Sequence, residues 1–215
     1  MRGTRKGRNG EYDSHMAFAR NVTAIYGLNL ALSYENAAVG RLEQRVSQCI
    51  VPEVKKNLAL HLKQTREQQE RLKDRMWDLS GPSDTAIPTT ESGRLPIPEP
   101  PRFLKDIMDE VGTEREREIW EAVNDLIVER AEAIMYRAGI QALELLGSDR
   151  KTIGALKKNL KEEEEFAKWL EKNNPRIAKK LMKEQMREGK KKRIAGVKSD
   201  KGEAAAGSES VAATA

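Results

Sequence analysis

Apolar residues recur at alternating three- and four-residue steps along four stretches of this chain, the spacing that keeps side chains on one face of an α-helix. The stripes run Leu28, Leu32, Glu35, Val39, Leu42, Val46; then Val54, Leu58, His61, Thr65, Gln68, Leu72, Met76; then Leu126, Glu129, Ala133, Tyr136, Ile140, Leu143; then Ile153, Leu156, Leu160, Glu163, Ala167, Leu170. They predict helices over about 22–48, 53–79, 114–146 and 149–172. Pro52 ends the first and starts the second, because proline disfavours helical geometry in the residue before it and suits a first helical turn. Gly147 suits a left-handed cap, and Ser148 or Asp149 can open the fourth helix. Between the second and third lies SGPSDTAIPTTESGRLPIPEPPR, which holds six of the eight prolines and predicts a long connection. FLKDIMDEV is expected as a short helix inside it. Asn173-Asn174-Pro175 is expected to end the fourth helix, with an exposed basic helix beyond.

Two tight hairpins joined by one long crossover is the chain order of a ferritin-like bundle, as opposed to an up-and-down bundle with three short loops. The expected fold is therefore all-α, a ferritin-like four-helix bundle with disordered tails. Its expected parts are a basic tail at 1–17, the bundle at 18–172 with its crossover at 80–113, an accessory basic helix at 173–190 and a second tail at 191–215. The last stretch, GVKSDKGEAAAGSESVAATA, has almost no large apolar residues, so it cannot bury enough surface to offset the entropy of ordering.

Each stripe is interrupted by a polar residue of the ligand type. Glu35 stands among aliphatics, His61 is one of three polar residues on its helix's core face, and Glu129 and Glu163 break the other two stripes. Glu132 lies one turn on from Glu129. An isolated buried carboxylate is costly and takes up a proton or finds a partner. Several converging would repel one another unless a cation were present. Glutamates with a histidine, projecting inward from four helices, are the hard oxygen and borderline nitrogen donors that iron or manganese accept. A competing reading is that these are rim residues whose heads reach water, or that Glu129 pairs with Arg130 or Arg137.

Composition narrows the alternatives. Cys49 is the only cysteine, which excludes a disulfide framework and a multi-cysteine zinc site. No apolar run approaches the roughly 18 residues that span a bilayer, and the basic N-terminus lacks the apolar stretch of a signal peptide. A soluble, cytoplasmic protein with no membrane partner is expected. No glycine-rich phosphate loop is present, and Cys49 has no histidine near it in sequence, which argues against a nucleotide enzyme or a hydrolase. The net charge of +5 is concentrated at Arg2, Arg5, Lys6 and Arg8 and at Lys190 to Arg193. These clusters serve solubility or a weak, sequence-independent, salt-sensitive attraction to nucleic acid.

The stretches Tyr34-Glu35-Asn36, VPEVKKNLALHLKQTREQQERL (51–72), VERAE (128–132) with YRAGIQALELLG (136–147), and LKEEEEFAKWL (160–170) resemble the YciF-like (YciE/YciF) branch of the ferritin-like superfamily. The resemblance covers about residues 20–172. It implies a four-helix fold, a homodimer and an association with stress response. Position by position it carries the family's core acids onto Glu35, Glu129, Glu132 and the Glu162-Glu163 pair, and its histidine onto His61. The chain departs from the pattern at Gln64, where the family often has glutamate, at Arg130, where it often has histidine, and at Leu58, where many di-iron proteins have glutamate.

The expected metal set is thus Glu35, His61, Glu129, Glu132 and Glu163, holding one or two ions of iron or manganese, with the departures pointing to fewer than two per chain. Three functions follow as expectations: a ferritin-like protein that sequesters metal or uses it to consume peroxide; a structural or interaction protein whose metal centre has decayed into a hydrogen-bonded polar cluster; and nucleic-acid association through the basic ends. Catalysis itself is left open.

Overall fold

The computed structural model describes residues 6–80 and 112–206, with side chains over 17–80 and 112–191. Four helices account for nearly all of them: α1 (Lys6–Gln48), α2 (Pro52–Ser80), α3 (Glu114–Leu145) and α4 (Arg150–Ala206). The fold is an all-α four-helix bundle, as the stripes predict.

The helix ends follow from local chemistry. Pro52 is the first residue of α2, where its missing N–H costs nothing, and the backbone NH of Ile50 donates to Glu118 Oε2 of α3 at 3.1 Å, tying the turn to the other hairpin. Helix α3 opens on a capping box. Thr113 accepts from the Glu116 N–H while the Glu116 side chain accepts from the Thr113 N–H, which satisfies two otherwise unpaired donors. At the other end Gly147 adopts φ 72°. Ser148 N–H donates to Leu143 O and Gly147 N–H to Glu144 O, the paired bonds of a Schellman termination that only the left-handed residue allows. Asp149 Oδ1 then accepts from the N–H groups of Lys151 and Thr152, capping α4.

Helix α1 packs along α2, and α3 along α4; contact between α2 and α4 is smaller and that between α1 and α3 is the sparsest. The C-terminal end of α1 meets the start of α3, where Arg45 bonds Glu118. Hence α2 and α3 run in the same direction. The crossover and its expected short helix, 81–111, lie outside the described residues, as do 1–5 and 207–215 of the expected tails.

Two boundaries differ from expectation. Helix α1 starts at Lys6, well before residue 22. Helix α4 contains Pro175 and continues through it, so the accessory helix is not a separate element. Proline inside a helix costs about 3 kcal/mol. Ile177 and Leu181 extend the apolar stripe past it into the core, 4% and 5% exposed, and their burial offsets that cost. Asn174 Nδ2 also donates to Ala122 O at 2.7 Å, fastening this turn to α3.

The interior is layered. One apolar cluster gathers Leu28, Leu32, Met76, Tyr136 and Ile140; another gathers Leu42, Leu58, Phe166, Leu170 and Ile177. Between them, midway along the bundle, lies a layer of buried polar residues.

Candidate metal centre

Each helix contributes to this layer because one turn of its core face is polar. Glu35 comes from α1, His61, Thr65 and Gln68 from α2, Glu129 and Glu132 from α3, and Glu163 from α4. All five expected ligands are at most 2% exposed, so the rim reading fails. The arginines proposed as partners for Glu129 turn outward instead: Arg130 bonds Glu171 and Arg137 bonds Glu164.

His61 Nε2 lies 2.8 Å from Glu129 Oε2 and 3.3 Å from Glu163 Oε2. One nitrogen carries at most one hydrogen, so it cannot satisfy both carboxylates. Its Nδ1 faces Gln64 Oε1 at 3.4 Å, and its ring stacks on Phe166 with centroids 4.1 Å apart. Gln68 Nε2 donates to Glu163 Oε1 at 2.6 Å. Tyr136 donates its hydroxyl to Glu35 Oε1 and accepts from Asn159 Nδ2. Glu35 is thus held by Tyr136, and His61 by Glu129 and Glu163. Glu162, the other half of the acidic pair, turns to Arg71 at 3.1 Å. Glu35 Oε2 and Glu132 Oε1 are buried without a hydrogen bond, whereas Glu129 Oε2 and Glu163 Oε2 have only the shared His61 nitrogen.

Electrostatics divides these groups. Burial, then Glu163, raises Glu35 well above the ordinary carboxylate range. Burial, then Glu129 and Glu163, does the same to Glu132. Burial pushes Glu163 up to about 7 against the pull of His61. Glu129 goes the other way: burial disfavours its charge, but the His61 cation outweighs it. His61 itself is raised, because Glu129 and Glu163 more than offset its burial. In this layer one imidazolium faces four carboxyl groups.

Ligand atoms of His61, Glu129 and Glu163 all lie within 4.8 Å of one another, a group that could hold a metal ion. An ion there would meet one nitrogen and two carboxylates, a donor set suited to first-row divalent metals. Glu35 and Glu132 share the layer and each has an oxygen to offer. Gln68, Tyr136 and Thr65 were visible as polar or half-polar members of the stripes; Asn159, one turn before Glu163 on α4, was not singled out.

A second buried polar cluster sits nearer the α1–α2 turn. Arg41 and Arg45 of α1 bond Asp125 of α3; Arg45 also reaches Glu118 at 3.1 Å. Burial opposes the Arg45 charge, but Asp125 and then Glu118 hold it protonated. Cys49 Sγ donates to Glu118 Oε1 at 3.2 Å. Burial, with Glu118 beside it, pushes this thiol up to about 11. The α3 core face therefore runs Ala122, Asp125, Glu129, Glu132, with Leu126 only half-buried.

Among the described residues no helix is long and apolar enough to cross a membrane. The family model described as "Domain of unknown function (DUF892)" matches residues 25–183, most of the chain and all of the polar layer. The chain belongs to that family. No curated protein and no solved structure matches it.

Proposed function

We propose that this member of the DUF892 family is a ferritin-like, stress-associated protein that binds iron or manganese in the polar layer, either to sequester the metal or to consume peroxide with it. One observation carries the reading: Glu129 and Glu163 converge on one histidine nitrogen that cannot satisfy both, and Glu35 and Glu132, buried in the same layer, each keep an oxygen with no hydrogen bond. Leaving buried acceptors unsatisfied costs about 1–3 kcal/mol each, and a cation among them would satisfy several at once. His61, Glu129 and Glu163 would hold it, with Glu132 and Glu35 completing the set. The metal would supply Lewis acidity, and redox capacity if it is iron or manganese. The chain's own residues exclude water, orient the carboxylates and, through Tyr136 and Asn159, fix the rotamer of Glu35. The resemblance to YciF-like proteins adds the stress association.

The second reading is a structural protein with a decayed centre. It is favoured by the ion pairs of His61 and by the bond from Gln68 to Glu163, which give the layer partial satisfaction without an ion. Elemental analysis of untagged protein and melting with iron(II) or manganese(II) separate the two. Metal binding should raise stability by about 2.7 kcal/mol when free metal is one hundred times its dissociation constant, and His61→Ala should abolish the gain. No metal and no melting shift would leave only the structural reading. Attraction of the basic ends to nucleic acid is a further role we propose only as weak and lost as salt rises.

A further inference from the structure

Helix α4 treats its exposed charges differently in its two halves. Before Pro175 several lysines meet an acid: Lys157 lies 2.7 Å from Glu144, Lys161 3.7 Å from Glu165 and Lys168 3.6 Å from Glu164. Past Pro175 this stops. Between residues 172 and 191 the only acids are Glu184 and Glu188, and both face Arg115 of α3, at 3.9 and 2.7 Å. Lys179, Lys180, Lys183, Arg187, Lys190 and Lys191 are all exposed, and none of them has an ion pair with a described residue.

Helical geometry gathers these six on one side. At about 100° per residue they fall within an arc of about 120°. Ile177 and Leu181, buried in the core, lie on the opposite side, so the bundle takes the apolar face and the basic face is left to solvent. A rise of 1.5 Å per residue spreads the six over about 18 Å, roughly one positive charge per 3 Å. Like charges three and four residues apart repel along a helix, as at Lys179, Lys183 and Arg187, and no acid on this face relieves them. A polyanion would.

We infer that this basic face of α4 is a docking surface for the phosphate backbone of nucleic acid. A duplex carries one phosphate per 3.4 Å along each strand, close to the spacing of the cations on the arc. Anionic lipid fits less well. A helix that lies on a bilayer sinks an apolar face into it, whereas here that face is held in the bundle and the large apolar residues exposed beside the arc are only Met182 and Met186. Lysine and arginine on phosphates position a duplex without reading its sequence. The inference deepens the nucleic-acid attraction proposed above for the basic ends and moves it onto an ordered helix face. It is independent of any metal.

Fluorescence anisotropy of a short labelled duplex with the full chain, over a series of salt concentrations, tests it. The log of the binding constant falls with log salt by about 0.9 for each phosphate neutralised. Lys179→Gln, Lys180→Gln, Lys183→Gln and Arg187→Gln together should weaken binding about tenfold or more and cut that slope by about three, with helical circular dichroism unchanged. The same loss of charge in the other half, by glutamine at Lys151, Lys157, Lys158 and Lys161, should leave the slope nearly as it was; an equal loss there would mean bulk charge alone and overturns the proposal. Should the four-residue variant fail to fold, Lys183→Gln and Arg187→Gln are read singly, each lowering the slope by about 0.9, and unchanged slopes overturn it. Glutamine at Arg2, Arg5, Lys6 and Arg8 separates the two locations. If that change abolishes binding while the α4 variant binds like the wild type, the ends carry the contact and the α4 face does not. A wild type that binds no duplex at low salt, or that binds only phosphatidylserine vesicles, overturns both.

Discussion

Two buried polar clusters share the interior, and they solve the same problem in opposite ways. Near the α1–α2 turn, the guanidinium groups of Arg41 and Arg45 face the carboxylates of Asp125 and Glu118, so the charges balance and Arg45 bonds both acids. In the middle layer, four glutamates share one histidine: Glu129 and Glu163 compete for its Nε2, and Glu35 and Glu132 each keep an oxygen with no partner. Burial alone therefore does not mark a functional site. The mark is a deficit of cations that the chain could have filled, as it did a few turns away, and did not.

Removing a charge should act with opposite sign in the two clusters. Arg45→Met leaves Asp125 and Glu118 buried without their main partner, and urea denaturation should show a loss of about 3–5 kcal/mol. A loss under about 1 kcal/mol would mean that the acids reach water and the cluster is no compensated pair.

The pH dependence of the metal-free protein comes next in size. Glu35, Glu132 and Glu163 hold their protons more tightly folded than unfolded, Glu163 up to about 7. Across the interval between those values the folded state carries more protons, so stability falls as pH rises. His61, also raised, contributes stability below its unfolded value and loses it with rising pH. Glu129, lowered, works in the other direction but is one group against four. The melting temperature should fall by several degrees from pH 5 to pH 8, and the fall should shrink with metal bound. A rise over that window would contradict the assigned imbalance.

Glu132→Gln keeps the shape and removes a charge from the overloaded layer. At pH 8 it should stabilise the metal-free protein by about 1 kcal/mol, the scale of one unsatisfied buried group, with a smaller gain at pH 5, because burial with Glu129 and Glu163 nearby favours the protonated carboxyl. Isothermal metal titration of the same variant should show weaker binding. Destabilisation at pH 8 would show that Glu132 has a cationic partner.

The smallest effect concerns Cys49. Buried against Glu118 and raised to about 11, it should react with a disulfide reagent at pH 8 only at the rate of unfolding. Rapid reaction of the folded protein would place it outside the compensated cluster.

The helices and the metal-type residues were legible because period and polarity are local signals: Glu35 and Glu163 each break an otherwise aliphatic stripe, and His61 opens a run of three polar residues on its own stripe. The compensated cluster was not. Arg45 lies on α1 between Leu42 and Val46, and nothing local says that it turns inward to Asp125 eighty residues later. Leu126 looked like the core position of its turn, but the register set by Asp125 and Glu129 on one face leaves it at the edge. Pro175 misled for a related reason. It is a strong local stop signal, overruled by the tertiary burial of Ile177 and Leu181, although their spacing from Leu170 already continued the stripe.

The chain order has a consequence for how the middle layer comes into being. Glu35 and His61 belong to the α1–α2 hairpin, whereas Glu129, Glu132 and Glu163 belong to α3–α4, and the hairpins touch each other far less than their own helices do. Neither half holds the His61, Glu129 and Glu163 group alone. In the language of fragment complementation, the ion would be a clasp between two preformed pieces, and its capture would report their docking rather than the formation of either. A chain opened within the crossover would turn that intramolecular clasp into a bimolecular one, with assembly governed jointly by the concentration of the halves and of the metal.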